Sequence, residues 1–154
     1  MLVELAVALA LTAPGSRTVP CAESIAETRF PSTPGRLALD AAVVPPAHLT
    51  QSTPTESRPW THFSKWGLVL RGGAGETVTV TVPVAWRARV AISWGNAGAV
   101  YHTLRFPRCA ADPTRGHAFA GGFFLRRAAD CVPLRFRVGT RTQLVWFGIV
   151  RRCR

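Results

Sequence analysis

The stretch from Glu76 to Val82 alternates without exception, with Val78, Val80 and Val82 on one side of an extended chain and Thr77, Thr79 and Thr81 on the other. A helix would scatter these residues around its circumference. β-branched side chains suit a pleated surface, so the segment predicts a strand with one buried and one wetted face. The pattern recurs. Trp86 to Trp94 places Trp86, Ala88, Val90, Ile92 and Trp94 inward, with Arg87, Arg89, Ala91 and Ser93 outward. Cys131 to Val138 places Leu134, Phe136 and Val138 inward, with Arg135 and Arg137 outward.

Further strands are expected near Leu37–Val43, Trp66–Arg71, Val100–Phe106, Ala118–Leu125 and Arg141–Val150. Pro45-Pro46, Gly95-Asn96 and Gly139-Thr140 punctuate them, and the glycine turn Arg71–Glu76 reads as a hairpin between its flanking strands. "AESIAETR" after Cys21 allows one or two helical turns, and no long helix follows. The expected fold is all-β: a single antiparallel β-sandwich, immunoglobulin-like or jelly-roll-like, of about seven to eight strands. A closed barrel is the alternative.

The 154 residues, 47% of them apolar, suffice for one hydrophobic core. Residues 1–20 read as a signal-like hydrophobic N-terminus and spacer, and 21–154 as the β-sandwich domain. Leu5 to Leu11 is an unbroken apolar run stopped by Pro14-Gly15, too short to span a bilayer but matching the apolar part of a secretory signal. Glu4 stands where such a signal carries a base. A basic segment lost upstream accounts for this, and the same loss leaves a longer membrane anchor as the alternative.

Cys21, Cys109, Cys131 and Cys153 lie far apart, without C-x-x-C or zinc-ligand spacing. An even count in an exported chain reads as two disulfides. Of the three connectivities, Cys109–Cys131 with Cys21–Cys153 is favoured: the first closes a medium loop and the second ties the ends together.

The net charge of +11 is unevenly placed. Residues 1–76 hold six bases and six acids, whereas 77–154 hold thirteen arginines against Asp112 and Asp130. Such a field favours polyanions, and export disfavours nucleic acid among them, leaving wall polymers and anionic lipid surfaces. If the strands carrying Arg87, Arg89, Arg135 and Arg137 are neighbours, these four form one outer stripe, fringed by Arg126, Arg127, Arg151 and Arg152. Arginine on outer strand faces also keeps sheets soluble and blocks edge pairing, which needs no ligand.

Trp60, His62, Phe63 and Trp66 precede a strand. Exposed, they suit stacking on sugar rings; buried, they cap the end of the sandwich. For catalysis the inventory is thin. His48, His62, His102 and His117 are scattered, there is no H-E-x-x-H or G-x-S-x-G, and no cofactor or metal is implied. Asp112 and Asp130 flank the expected cysteine loop and read better as turn residues than as a carboxylate pair.

The segments "VPVAWRARVAISWG" (82–95), "LRFPRC" (104–109), "FAGGFFLR" (119–126), "CVPLRFRVGTR" (131–141) and "FGIVRRC" (147–153) carry a resemblance. Through them the chain resembles a group of small, uncharacterised exported proteins of actinobacteria. The resemblance implies export and a cysteine framework and carries no activity. The expectation is therefore a non-enzymatic exported or envelope-associated β-sandwich whose arginine face binds polyanions. The alternative is a small hydrolase or carbohydrate-binding module built on Trp60–Trp66.

Overall fold

A computed structural model describes residues 15–32, 35–110 and 112–154. The apolar run Leu5–Leu11 lies outside the described residues. In chain order the strands are β1 (Ser16–Thr18), β2 (Ala26–Arg29), β3 (Arg36–Ala38), β4 (Ala42–Val44), β5 (His48–Leu49), β6 (Thr53–Pro54) and β7 (His62–Lys65). They continue as β8 (Leu68–Arg71), β9 (Val78–Thr81), β10 (Val90–Trp94), β11 (Thr103–Phe106), β12 (Arg115–Phe119), β13 (Gly121–Leu125), β14 (Asp130–Val138) and β15 (Arg141–Ile149). The only helical pieces among the described residues are single 3-10 turns at Cys21–Glu23 and Val84–Trp86.

The all-β expectation holds, but the single sandwich of seven to eight strands does not. The strands form three sheets: a six-stranded one in the order β1-β11-β9-β14-β15-β5, a four-stranded one β10-β13-β7-β6, and a five-stranded one β2-β12-β8-β4-β3. Nor is pairing uniformly antiparallel, since β1 runs parallel to β11 and β5 parallel to β15 at the two edges of the largest sheet. One core joins all three. Phe106 of the six-stranded sheet packs edge-on against Phe119 of the five-stranded sheet at 5.1 Å. Phe147 of the six-stranded sheet meets Phe123 of the four-stranded sheet at 5.1 Å.

Of the positions read as inward from alternation, Val78, Val80, Val82, Val90, Ile92, Trp94, Leu134, Phe136 and Val138 are each no more than 5% exposed. Trp86 and Ala88 depart from the pattern, half-buried and exposed in the turn before β10, and Ala91, read as outward, is fully buried beside Trp60. The hairpin at Gly139-Thr140 is also present, joining β14 to β15 with Val138 paired to Arg141. Gly139 takes φ +59° at the first position of this two-residue turn, where a side chain is disfavoured.

Several boundaries are corrected. The expected strand Trp86–Trp94 is shortened to Val90–Trp94, because Pro83 ends β9 and leads into a 3-10 turn over Val84–Trp86. The expected strand Leu37–Val43 is a tight hairpin of β3 and β4, turned by positive φ at Leu39 and Asp40. "AESIAETR" gives one 3-10 turn and then β2, not a helix of one or two turns. Arg71–Glu76 is not a hairpin: β8 belongs to the five-stranded sheet and β9 to the six-stranded one, so the glycine turn crosses between layers.

Ala118–Leu125 likewise divides at Ala120, with β12 in one sheet and β13 in another. Gly121 and Gly122 make the transfer feasible, since β13 lies between β10 and β7. A Cβ on Gly121 would stand 1.7 Å from the Ser93 carbonyl oxygen, and one on Gly122 2.0 Å from that of Ser64. The β-domain also begins before residue 21, for Ser16–Thr18 forms an edge strand and Val19 is fully buried.

The cysteine pairing differs from expectation. Cys21 bonds Cys109 and Cys131 bonds Cys153; the Cys109–Cys131 and Cys21–Cys153 bridges are absent. The parallel pairing of β1 with β11 explains the first: Thr18 stands opposite Arg105, so both chains leave the sheet at the same end and carry Cys21 to Cys109. The second follows from Cys131 being the register partner of Gly148. After Ile149 the chain turns back at Val150 (φ +64°) and passes over Gly148, whose absent side chain leaves room for the backbone of Arg152 and Cys153. Two disulfides belong to a chain that folds outside the reducing cytoplasm. No described helix is long and apolar enough to cross a membrane.

Candidate anion-binding face

The threonine face of β9 is the floor of the site. Thr81 pairs with Thr103 on β11 and Arg135 on β14; Thr79 pairs with Arg105 on β11 and Arg137 on β14. Register partners share a face, so these residues project from the outer surface of the largest sheet. They line a shallow depression of about 250 Å³: Thr79, Thr81, Thr103, Arg105, Arg135 and Arg137. Thr103 Oγ1 donates to Thr81 Oγ1 at 3.4 Å. All three arginines are exposed.

None of the residues lining the depression is acidic. The ion pairs among the described residues join Arg17 to Glu23, Arg71 to Asp40, Arg89 to Asp130 and Arg115 to Glu27, and none engages Arg105, Arg135 or Arg137. Other arginines are held by the protein. Arg108 Nε donates to the Glu76 carbonyl at 2.9 Å, and burial with Arg71 nearby pushes its guanidinium below the ordinary value. Arg36 donates to the Pro45 and Trp146 carbonyls and is similarly lowered by burial.

Arg87 and Arg89 do not join Arg135 and Arg137 in one strand-to-strand stripe. They sit in the turn before β10, and β10 belongs to the four-stranded sheet, not beside β14. Arg87 Nε donates to the Val82 carbonyl at 3.3 Å. Arg89 is paired with the buried carboxylate of Asp130 and lies 4.2 Å over the Trp86 ring. Arg126 and Arg127 are exposed in the turn after β13, where Arg126 stacks 5.2 Å over Trp60. Arg151 and Arg152 are exposed in the tail leading to Cys153.

Arg105 is the member that sequence reasoning missed. Its own strand is legible, but its partners are not, because nothing local in "HTLRF" says that it pairs with β9.

The tryptophan segment divides. Trp60 is 2% exposed and packs with Ala91, while Trp66 is 45% exposed and lines a hollow of about 240 Å³ with Leu49, Thr50, Gln51, Ser64 and Lys65. Among the described residues His62 Nδ1 bonds the neighbouring Thr61 hydroxyl, at 2.9 Å. His102 and His117 are buried with Nε2 unpartnered, and burial, then Arg87, pushes the His102 pKa down. Asp112 accepts from the Thr114 amide and hydroxyl, a turn role, and Asp130 answers Arg89, so the two carboxylates do separate work. Among the described residues no group of three or more His, Cys, Asp or Glu side chains is placed to hold a metal ion. Comparison of the chain with protein-family models and with curated proteins yields no match to either.

Proposed function

We propose that this chain is a non-enzymatic, exported or envelope-associated β-protein that binds polyanions through Arg105, Arg135 and Arg137. The observation that carries the reading is the convergence of these arginines, from strands on either side of β9, on a threonine-floored depression without a carboxylate partner. Guanidinium groups bind phosphate, sulfate or carboxylate in a two-pronged geometry, and hydroxyls add donors between them. Anionic wall polymers and anionic lipid head groups both offer such oxygens. Export belongs to the same proposal and is supported by the two disulfides. Membership of the group of small actinobacterial exported proteins is proposed with it, on the segments at 82–95, 119–126 and 131–141.

The test is retention on heparin as salt is raised, comparing the parent with Arg135→Gln/Arg137→Gln. Binding through these charges weakens steeply with salt, and the variant elutes earlier. A variant that elutes with the parent at every salt concentration refutes the reading. A second reading, sugar binding at Trp66, rests on that ring's exposure in its polar hollow. Trp66→Ala abolishing retention on a neutral polysaccharide would support it.

A further inference from the structure

Beside the arginine depression the same outer face turns apolar. Leu144 is the register partner of Arg135, and Trp146 that of Pro133. They are 45% and 41% exposed. Trp86, from the turn after β9, packs edge-on against Trp146 with ring centroids 5.4 Å apart and planes at 86°. Val84, two residues before it, is 76% exposed. Leu144, Trp146 and Trp86 thus lie beside the strand that carries Arg135 and Arg137, with Val84 exposed in the turn that leads to Trp86.

A soluble polyanion explains the arginines but leaves this border unused. A sugar chain would stack on an open indole face, yet the two indoles are packed edge to face, and Leu144 and Val84 offer no ring at all. Aliphatic and indole groups next to fixed positive charge suit a surface that is both apolar and anionic. In the interfacial zone of a bilayer, tryptophan sits at head-group depth, leucine and valine reach the acyl boundary, and arginine meets lipid phosphate.

We propose that the outer face of the six-stranded sheet docks on an anionic lipid bilayer. Leu144, Trp146 and Trp86 enter the boundary between head groups and acyl chains, and Arg105, Arg135 and Arg137 bind the phosphates. The proposal rests on the polyanion reading above and commits it to one source of anion. Charge complementarity sets the orientation, because the depression and the apolar border lie on one surface.

The experiment measures binding of the oxidised protein to vesicles of phosphatidylglycerol and phosphatidylcholine, against pure phosphatidylcholine, with heparin retention in parallel. The parent is expected to bind the anionic vesicles, with its tryptophan emission quenched by lipids brominated near the head of the acyl chain. Leu144→Gln/Trp146→Gln is expected to lose about tenfold in vesicle affinity and to keep its heparin elution. Leu144→Gln alone, which leaves the tryptophan pair intact, is expected to lose a smaller part. Arg135→Gln/Arg137→Gln is expected to lose both activities, on the order of fivefold per arginine for vesicles. Heparin retention without binding to anionic vesicles would overturn the bilayer proposal and leave the polyanion reading standing. So would vesicle binding without bromine quenching and indifferent to Leu144 and Trp146. Failure to bind either ligand would refute both.

Discussion

Arg105 and Arg137 stand on opposite sides of Thr79, each its register partner, so two guanidinium-bearing positions face each other across a single strand. At the usual spacing of strands their Cα atoms lie about 9–10 Å apart. That separation is within the reach of two long side chains on one phosphate or sulfate group. The arrangement depends on the sheet being intact beneath it.

Phe136 lies between Arg135 and Arg137 in sequence but points the other way, at 1% exposure. Phe136→Ala is expected to cost about 3–5 kcal/mol, read from urea unfolding. Arg135→Gln and Arg137→Gln, on the exposed side of the same strand, are expected to stay within about 0.5 kcal/mol of the parent.

That division between core and outer face is legible in the alternation of the sequence, as is the Gly139-Thr140 hairpin. Alternation fixes which side of a strand a residue takes, because it is a property of the chain's own geometry. Strand order has no such local mark. The glycine turn after Arg71 resembles a hairpin turn, yet its flanking strands lie in different sheets. Arg89 has the alternation of an outward residue, but the proline at Pro83 shifts it into a turn, where it neutralises Asp130 instead of lining a stripe. The cysteine pairing depends on the parallel edge strand β1 and on the returning tail, both long-range facts.

Peptide mapping of the oxidised protein is expected to recover the Cys21–Cys109 and Cys131–Cys153 links. Cys131→Ser/Cys153→Ser should cost about 3 kcal/mol and Cys21→Ser/Cys109→Ser about 4–5 kcal/mol, the larger loop losing more unfolded-state restraint. Recovery of a Cys109–Cys131 peptide would contradict the described topology.

Gly121→Ala and Gly122→Ala are each expected to destabilise the protein by about 1–3 kcal/mol or more, because the added methyl meets a carbonyl of the neighbouring strand, not a movable side chain. Unfolding midpoints in urea check this. Gly98→Ala, where a Cβ meets nothing within 4 Å but φ is +65°, serves as a comparison limited to backbone strain.

Arg17 on β1 donates to Glu23, whose Oε2 also accepts the Asn96 amide at 2.8 Å, so one carboxylate ties the edge strand to the loop after β10. Arg17's hydrogen bond, aided by that of Asn96, holds the Glu23 carboxyl below its ordinary value of 4.5. The resulting stability is present above that ordinary value and is lost as pH falls through the lowered folded value. Glu23→Gln is therefore expected to melt below the parent at pH 7 and to converge with it in strong acid. A constant gap at both pH values would refute the linkage.

The proposed binding rests on the position of the arginines, not on net charge. Two triple variants lose the same charge: Arg105→Gln/Arg135→Gln/Arg137→Gln on the face, and Arg29→Gln/Arg58→Gln/Arg127→Gln at exposed sites elsewhere. The measurement is the salt concentration at which each elutes from heparin. A large fall is expected for the face variant and a small one for the other; equal falls would show that net charge alone governs binding, and would contradict a site on this face.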